Sequence, residues 1–352
     1  MKRGAEAPPA PRRVLIVKPS ALGDVITALP VLRGLRRSFP EAEVTWLVNT
    51  AYAPLLAEDP DLHATIAFDR RGLGRWWRSP TAARELASLK RRLREGRFDW
   101  AIDLQGLFRS GWLARKSGAP VRAGFSDARE LAPHFYTHRI RATAEHTVDR
   151  NIELARALGV DARGQDLRLH VPAGGRQTAA ERLSALALAE GQYAVLAPAA
   201  RWRTKMYPVR RWRQLVGELI KRMPVLLLGA RGEEAICEAV AAGLGPGVHN
   251  LCGQTGLPET TALAAGAAAV VCNDSGIMNI ASAVGRPPVV VIGPTRSGHT
   301  GPYTGTAVVA EVACQGCRKK RCRHVTCMES IEPSRILSAV EGCLDAGSDS
   351  CR

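Results

Sequence analysis

Four loops in this chain combine charged side chains with small residues in a way that could move a group onto a hydroxyl. The first is Lys18-Pro-Ser-Ala-Leu-Gly-Asp24, which comes after an apolar run and leads into a helix. A carboxylate at Asp24 could act as general base on an alcohol; it could equally complement the helix dipole. Ser20 and Gly23 lie in the same loop, and Gly23 allows close backbone approach. The second loop, Pro198-Ala-Ala-Arg-Trp-Arg-Thr-Lys-Met-Tyr-Pro208, gathers Arg201, Arg203, Thr204 and Lys205. Fixed cations there suit a diphosphate leaving group, although a solvated basic loop has the same composition. The third, Val225-Leu-Leu-Leu-Gly-Ala-Arg-Gly-Glu-Glu234, puts Glu233 where a ribose hydroxyl could be accepted; glutamates in a first helical turn are also ordinary helix chemistry. The fourth, Val270-Val-Cys-Asn-Asp-Ser-Gly276, opens a helix with small residues whose N–H groups could face an anion. Asp274 would repel that anion unless hydrogen-bonded neighbours intervene. A fifth loop, Gly293-Pro-Thr-Arg-Ser-Gly-His-Thr300, comes close to a P-loop. His299 stands where the phosphate lysine belongs, and Pro294 sits in the cradle, so a P-loop NTPase is excluded.

Positioning such loops requires strands that end together. Short β-branched runs at residues 14–18, 44–48 and 100–104 alternate with amphipathic stretches at 31–38 and 84–97. The alternation restarts at 193–197, 225–229, 268–272 and 289–293. That is the pattern of parallel sheets flanked by helices. Pro30 implies a late start or a kink in the first helix. The expected organisation is a disordered lead-in (1–12), a first doubly wound unit (13–170), a Pro/Gly linker (171–178), a second unit (179–335) and a C-terminal helix or tail (336–352). Open α/β sheets bind ligands at the carboxyl ends of their strands, so two such units would meet at a ligand-binding cleft.

The chain of 352 residues is 46% hydrophobic, which allows two cores of ordinary size. It holds no apolar run of eighteen residues and no apolar signal-peptide segment at its start, so a cytoplasmic location is expected. The formal charge of +16 leans toward the first half, where residues 1–150 hold 26 Lys/Arg against 16 Asp/Glu. Such a field attracts nucleic acid, acidic lipid or a phosphorylated glycan, and arginine-rich coding produces it too.

Taken together, the loops resemble the heptosyltransferases of lipopolysaccharide core synthesis, glycosyltransferase family 9. The resemblance runs from Val14 to about Ile336. It rests on Val14-Leu-Ile-Val-Lys-Pro-Ser-Ala-Leu-Gly-Asp-Val25, Phe98-Asp-Trp-Ala-Ile-Asp-Leu-Gln-Gly-Leu107, Arg201-Trp-Arg-Thr-Lys205, Asn273-Asp-Ser-Gly276 and Gly293-Pro-Thr295. It implies a GT-B fold of two Rossmann-like domains, the first for acceptor and the second for donor, with a final helix returning to the first. It implies an inverting, metal-independent transfer from ADP-heptose to the Kdo–lipid A inner core. Asp24 matches the family's catalytic base. Lys205 matches the lysine on the donor phosphates, Glu233 a ribose contact, and Asp274, Ser275 and Gly276 the donor loop, with Arg201 and Thr204 beside it. Lys18, Ser20, Gly23, Gln105 and, more loosely, Arg129 fall on the acceptor side. Where the family usually has histidine, this chain has Asn279, which donates a hydrogen bond but carries no positive charge. The acceptor implied is a lipid-linked anionic glycan, with peripheral contact at the inner leaflet and no nucleic-acid partner. Trp76 and Trp77 beside Arg75 and Arg78 could assist at that surface or could equally pack under a loop.

Cys314, Cys317, Cys322 and Cys327 are spaced by two, four and four residues. Four thiolates so close could hold a structural zinc or an iron–sulfur cluster; free thiols or a local disulfide are the alternatives. Cys237, Cys252 and Cys272 read as buried thiols. Other functions that share parts of this pattern are transfer from a different nucleotide sugar, a nucleotide-sugar 2-epimerase, and a non-enzymatic polyanion binder.

Overall fold

Strands apolar at every position need cover on both faces, which parallel sheets provide. The computed structural model describes residues 8–69 and 79–345. It divides into two compact units, residues 1–170 and 171–352. In the first, β1 (Arg13–Val17), β2 (Glu43–Asn49), β3 (Ala64–Phe68), β4 (Trp100–Asp103), β5 (Val121–Phe125) and β6 (His138–Ile140) form one sheet in the order β3-β2-β1-β4-β5-β6. In the second, β7 (Ala194–Ala197), β8 (Val225–Leu227), β9 (Val248–Asn250), β10 (Ala269–Asn273), β11 (Val289–Ile292) and β12 (Thr306–Val309) run β12-β11-β10-β7-β8-β9. All pairings are parallel. Each sheet turns back on itself beside its own first strand, β1 or β7. Each unit is therefore a Rossmann-type fold, and the chain has the α/β, GT-B class of architecture.

That order fixes where chemistry can sit. The strand order reverses its march at β1/β4 in the first unit and at β7/β10 in the second, the places where open α/β sheets bind their ligands. Val17 pairs with Asp103, and Ala197 with Cys272. The loops after these strands are the ones carrying Lys18–Asp24, Gln105, Arg201–Lys205 and Asp274–Gly276.

Pro30 marks the late start expected of it: the short helix Leu22–Ile26 ends first, and Pro30 lies in the first turn of the next, Leu29–Ser38, where its missing N–H costs nothing. Other local expectations need correction. The units divide at 170/171, where the linker 171–178 was expected to begin, but most of that stretch is helical: the helix Ala173–Ala185 begins within it. Gly175 is there for close packing, since a Cβ would lie 2.4 Å from the Pro258 carbonyl oxygen. The last helix, Pro333–Asp345, belongs to the second unit and not to the first. Ile336 and Val340 are fully buried in the second unit's core, and the helix packs on Val209–Leu219 and on β10–β12. Of the lead-in, residues 8–12 are held rather than loose. The Trp100 indole N–H donates to the Pro9 carbonyl, and the Arg12 and Arg13 amides donate to Asp99 Oδ2 at 2.7 and 2.8 Å. Residues 1–7, the end of the tail after 345, and Arg75, Trp76, Trp77 and Arg78 lie outside the described residues.

Candidate active site

In the first unit, Asp24 sits in the short helix Leu22–Ile26 and is partly exposed. Its Oδ2 accepts the Ala21 amide at 2.8 Å, so the carboxylate also caps its own helix. Its Oδ1 takes no hydrogen bond among the described residues. Gly23 and Ser20 flank it, and the Ser20 amide donates to Gln105 Oε1 at 3.2 Å, joining the β1 and β4 loops. Arg129 is exposed, and its amide donates to the Gly106 carbonyl at 2.9 Å.

Lys18 departs from the acceptor-side role implied by resemblance. It is only 4% exposed, and its ammonium donates to the Leu104 carbonyl at 2.5 Å. Burial pushes it below the usual lysine range, opposed by the charges of Asp24 and Asp103. So enclosed, it ties the β1 loop to the β4 loop and lends its charge to both carboxylates. Asp103 lies in the Phe98–Leu107 motif but was given no role there, and its partner Tyr136 was not singled out from the sequence.

The second unit repeats the device. Lys205, from the β7 loop, reaches the β10 loop and pairs with Asp274 at 2.7 Å. The Thr295 hydroxyl donates to the same Asp274 oxygen at 2.6 Å. Asp274 is 8% exposed, and its charge is paired with the Lys205 ammonium in place. Asn273 braces the same loops, accepting the Tyr207 amide at 3.1 Å and donating to the Pro198 carbonyl at 2.7 Å. Ser275 and Gly276 then open the helix Gly276–Ala283 with partly exposed backbone, a suitable seat for an anion. The Lys205 ammonium also lies 4.8 Å from the Trp202 ring centroid, with Lys320 at 5.1 Å. Asn279 stands partly exposed on that helix, and its side chain makes no hydrogen bond among the described residues. Arg201 is exposed; Thr204 is buried, and its hydroxyl has no hydrogen-bond partner among the described residues. Glu233 precedes the helix Glu234–Ala241, and one oxygen accepts the Ala230 amide at 2.8 Å. Thr295, Asn273, Trp202 and Lys320 were not proposed as donor-side residues; Thr295, Asn273 and Trp202 lie in motifs the sequence had marked, and Lys320 does not.

Cys314, Cys317, Cys322 and Cys327 line one cavity of about 30 Å³ with Thr204, Pro294 and His324. They are free thiols, and among the described residues no group of three or more His, Cys, Asp or Glu side chains is arranged to hold a metal. The zinc expectation thus finds no formed site. The loop has another fastening: the Gly316 and Arg318 amides donate to the Gly293 and Pro294 carbonyls, and Gln315 Nε2 to the Thr295 carbonyl. Cys237, Cys252 and Cys272 are buried, and burial raises all three thiols above their usual range. A concavity of about 390 Å³ among Arg13, His63 and Arg92 lies at the opposite, amino-terminal ends of β1–β3, away from these loops.

Residues 86–328 match glycosyltransferase family 9 (heptosyltransferase). Lipopolysaccharide heptosyltransferase 1 of Pseudomonas aeruginosa is 30% identical over 357 residues, covering 94% of this chain and 98% of that protein. The protein of the same name from Escherichia coli K12 is 32% identical over 304 residues, covering 83% and 91%. Among solved structures, E. coli heptosyltransferase WaaC with ADP aligns at a TM-score of 0.77 and 26% identity, covering 94% of this chain and 99% of that one. WaaC with ADP-2-deoxy-2-fluoro heptose aligns at 0.75. Two Rossmann-type units with a carboxylate at one switch point and a braced lysine at the other agree with that kinship, and the chain belongs to glycosyltransferase family 9, the heptosyltransferases.

Proposed function

We propose that this glycosyltransferase moves heptose from ADP-heptose to the Kdo–lipid A inner core of lipopolysaccharide, with inversion and without a catalytic metal. The observation that carries the reading is the Lys205–Asp274–Thr295 cluster beside the opening of the helix Gly276–Ala283. It supplies a fixed cation and helix amides for a diphosphate. Relatives named heptosyltransferase 1, and a neighbour solved with ADP, support that choice of donor.

In this mechanism Asp24 takes the acceptor hydroxyl proton on Oδ1 as that oxygen attacks the anomeric carbon. The bond from the anomeric carbon to the diphosphate breaks, and ADP leaves with the electron pair. Lys205 and the helix amides stabilise its growing charge. Ser20, Gly23, Gln105 and Arg129 serve the acceptor; Arg201, Thr204, Glu233 and Asn279 serve the donor. The test is a screen of ADP-, GDP- and UDP-sugars against deacylated lipid A–Kdo fragments. Product is expected with ADP-heptose, and equal or better turnover with a GDP- or UDP-sugar would overturn the donor assignment.

An acceptor anchored in a bilayer also calls for contact at the cytoplasmic leaflet. Among the described residues no helix is long and apolar enough to cross a membrane. The helix Pro80–Glu95 instead carries Arg84, Arg91, Arg92 and Arg94 on its solvent-facing side, with Arg97 just beyond. Each such charge contributes about 1 kcal/mol toward an anionic surface. Changing Arg84, Arg91 and Arg94 to Glu should weaken sedimentation with phosphatidylglycerol vesicles by about 100-fold or more. Unchanged sedimentation would remove this helix from the membrane contact.

A further inference from the structure

Behind Asp24 lies a buried polar cluster that the transfer chemistry does not use directly. Asp103 ends β4 with no exposed surface. Its Oδ1 accepts the amides of Gln105 and Gly106 at 2.9 and 3.2 Å, and its Oδ2 accepts the Tyr136 hydroxyl at 2.6 Å. The Tyr136 ring lies against Gly124, where a Cβ would come as close as 2.3 Å to it. Burial raises both Asp103 and Tyr136 above their usual ranges, the tyrosine also because of the neighbouring carboxylate.

Both residues whose amides Asp103 holds have a second contact on the acceptor side. Gln105 accepts the Ser20 amide of the catalytic-base loop. The Gly106 carbonyl accepts the Arg129 amide. Gly106 has a φ of +67°, a conformation that disfavours other residues, and two of the Asp103 contacts fix the turn in which it sits. Lys18 donates to Leu104, the residue between, and its charge faces both Asp24 and Asp103.

We propose that Asp103 and Tyr136 are positioning residues for the acceptor: the buried carboxylate–phenol pair sets the β4 turn, which registers the Asp24 loop through Gln105 and the Arg129 loop through Gly106. The pair touches no substrate and acts through these loops. A device of this kind controls acceptor placement and leaves the donor half-site unaffected. The proposal rests on the heptosyl-transfer reading for its kinetic test but not for its structural one.

Tyr136→Phe removes one hydroxyl and keeps the ring against Gly124. Asp103→Asn keeps an oxygen for the Gln105 and Gly106 amides and loses the charge. In both, the KM for the lipid A–Kdo fragment should rise about tenfold, with the KM for ADP-heptose and the Kd for ADP within about twofold of wild type. Amide hydrogen exchange, which needs no substrate, should quicken at Ser20, Gln105, Gly106 and Arg129 while the β7–β12 amides keep their rates. Equal rises in both KM values, or unchanged exchange at those four amides in a folded variant, would overturn the proposal. Quickened exchange in the variants, beside a wild-type protein that itself transfers no heptose, would uphold the turn-setting role and count against the proposed reaction alone.

Discussion

Asp24→Asn should lower kcat by about 10²–10⁴-fold, the range for removal of a general base, while ADP binds with near wild-type affinity. The substitution is close to isosteric, and its amide oxygen can still accept the Ala21 N–H, so the cap on the helix Leu22–Ile26 survives. The capacity of Oδ1 to take a proton disappears. Lys18 also loses one of the two carboxylates whose charge offsets its burial, but Asp103 and the Leu104 carbonyl remain. The structural loss is therefore small beside the chemical one. Isothermal titration with ADP and single-turnover transfer separate the two. Turnover within about tenfold of wild type would take Asp24 out of the mechanism and leave it as a helix cap.

The loops bearing Asp24, Lys205 and Asp274 were legible because β-branched runs announce parallel strands, and parallel strands gather their succeeding loops at one edge of the sheet. The helix-end role of Asp24 was legible too: its Oδ2 accepts the Ala21 amide at the start of the helix Leu22–Ile26. Burial was the missing quantity. Lys18 looks like any loop lysine until Val17 is paired with Asp103 and the ammonium is enclosed beneath Leu104. Tyr136 lies 33 residues from Asp103, and only the β4–β5–β6 arrangement brings them together. Gly174-Gly175 read as a break because glycine opposes helix formation; the close approach of Pro258 supplies a packing reason that local propensity omits. The cysteine spacing suggested a metal, yet spacing does not fix where four side chains point.

Lys205→Met should reduce kcat/KM for the donor by about 10²–10³-fold, the effect of removing one preorganised charge stabiliser. It should also cost about 3 kcal/mol of stability, because a carboxylate as buried as Asp274 is then left without its cation. The Thr295 hydroxyl alone cannot compensate a full charge. Adding Asp274→Asn to Lys205→Met removes the stranded charge and keeps an acceptor for Thr295. The double variant should therefore recover most of the lost stability in urea unfolding and none of the lost catalysis. That divergence distinguishes a lysine that serves the diphosphate from one that merely neutralises Asp274. If the double variant regained donor turnover along with stability, the Lys205 charge would be structural, and the stabilisation of departing ADP would have to come from the amides of the helix Gly276–Ala283 alone.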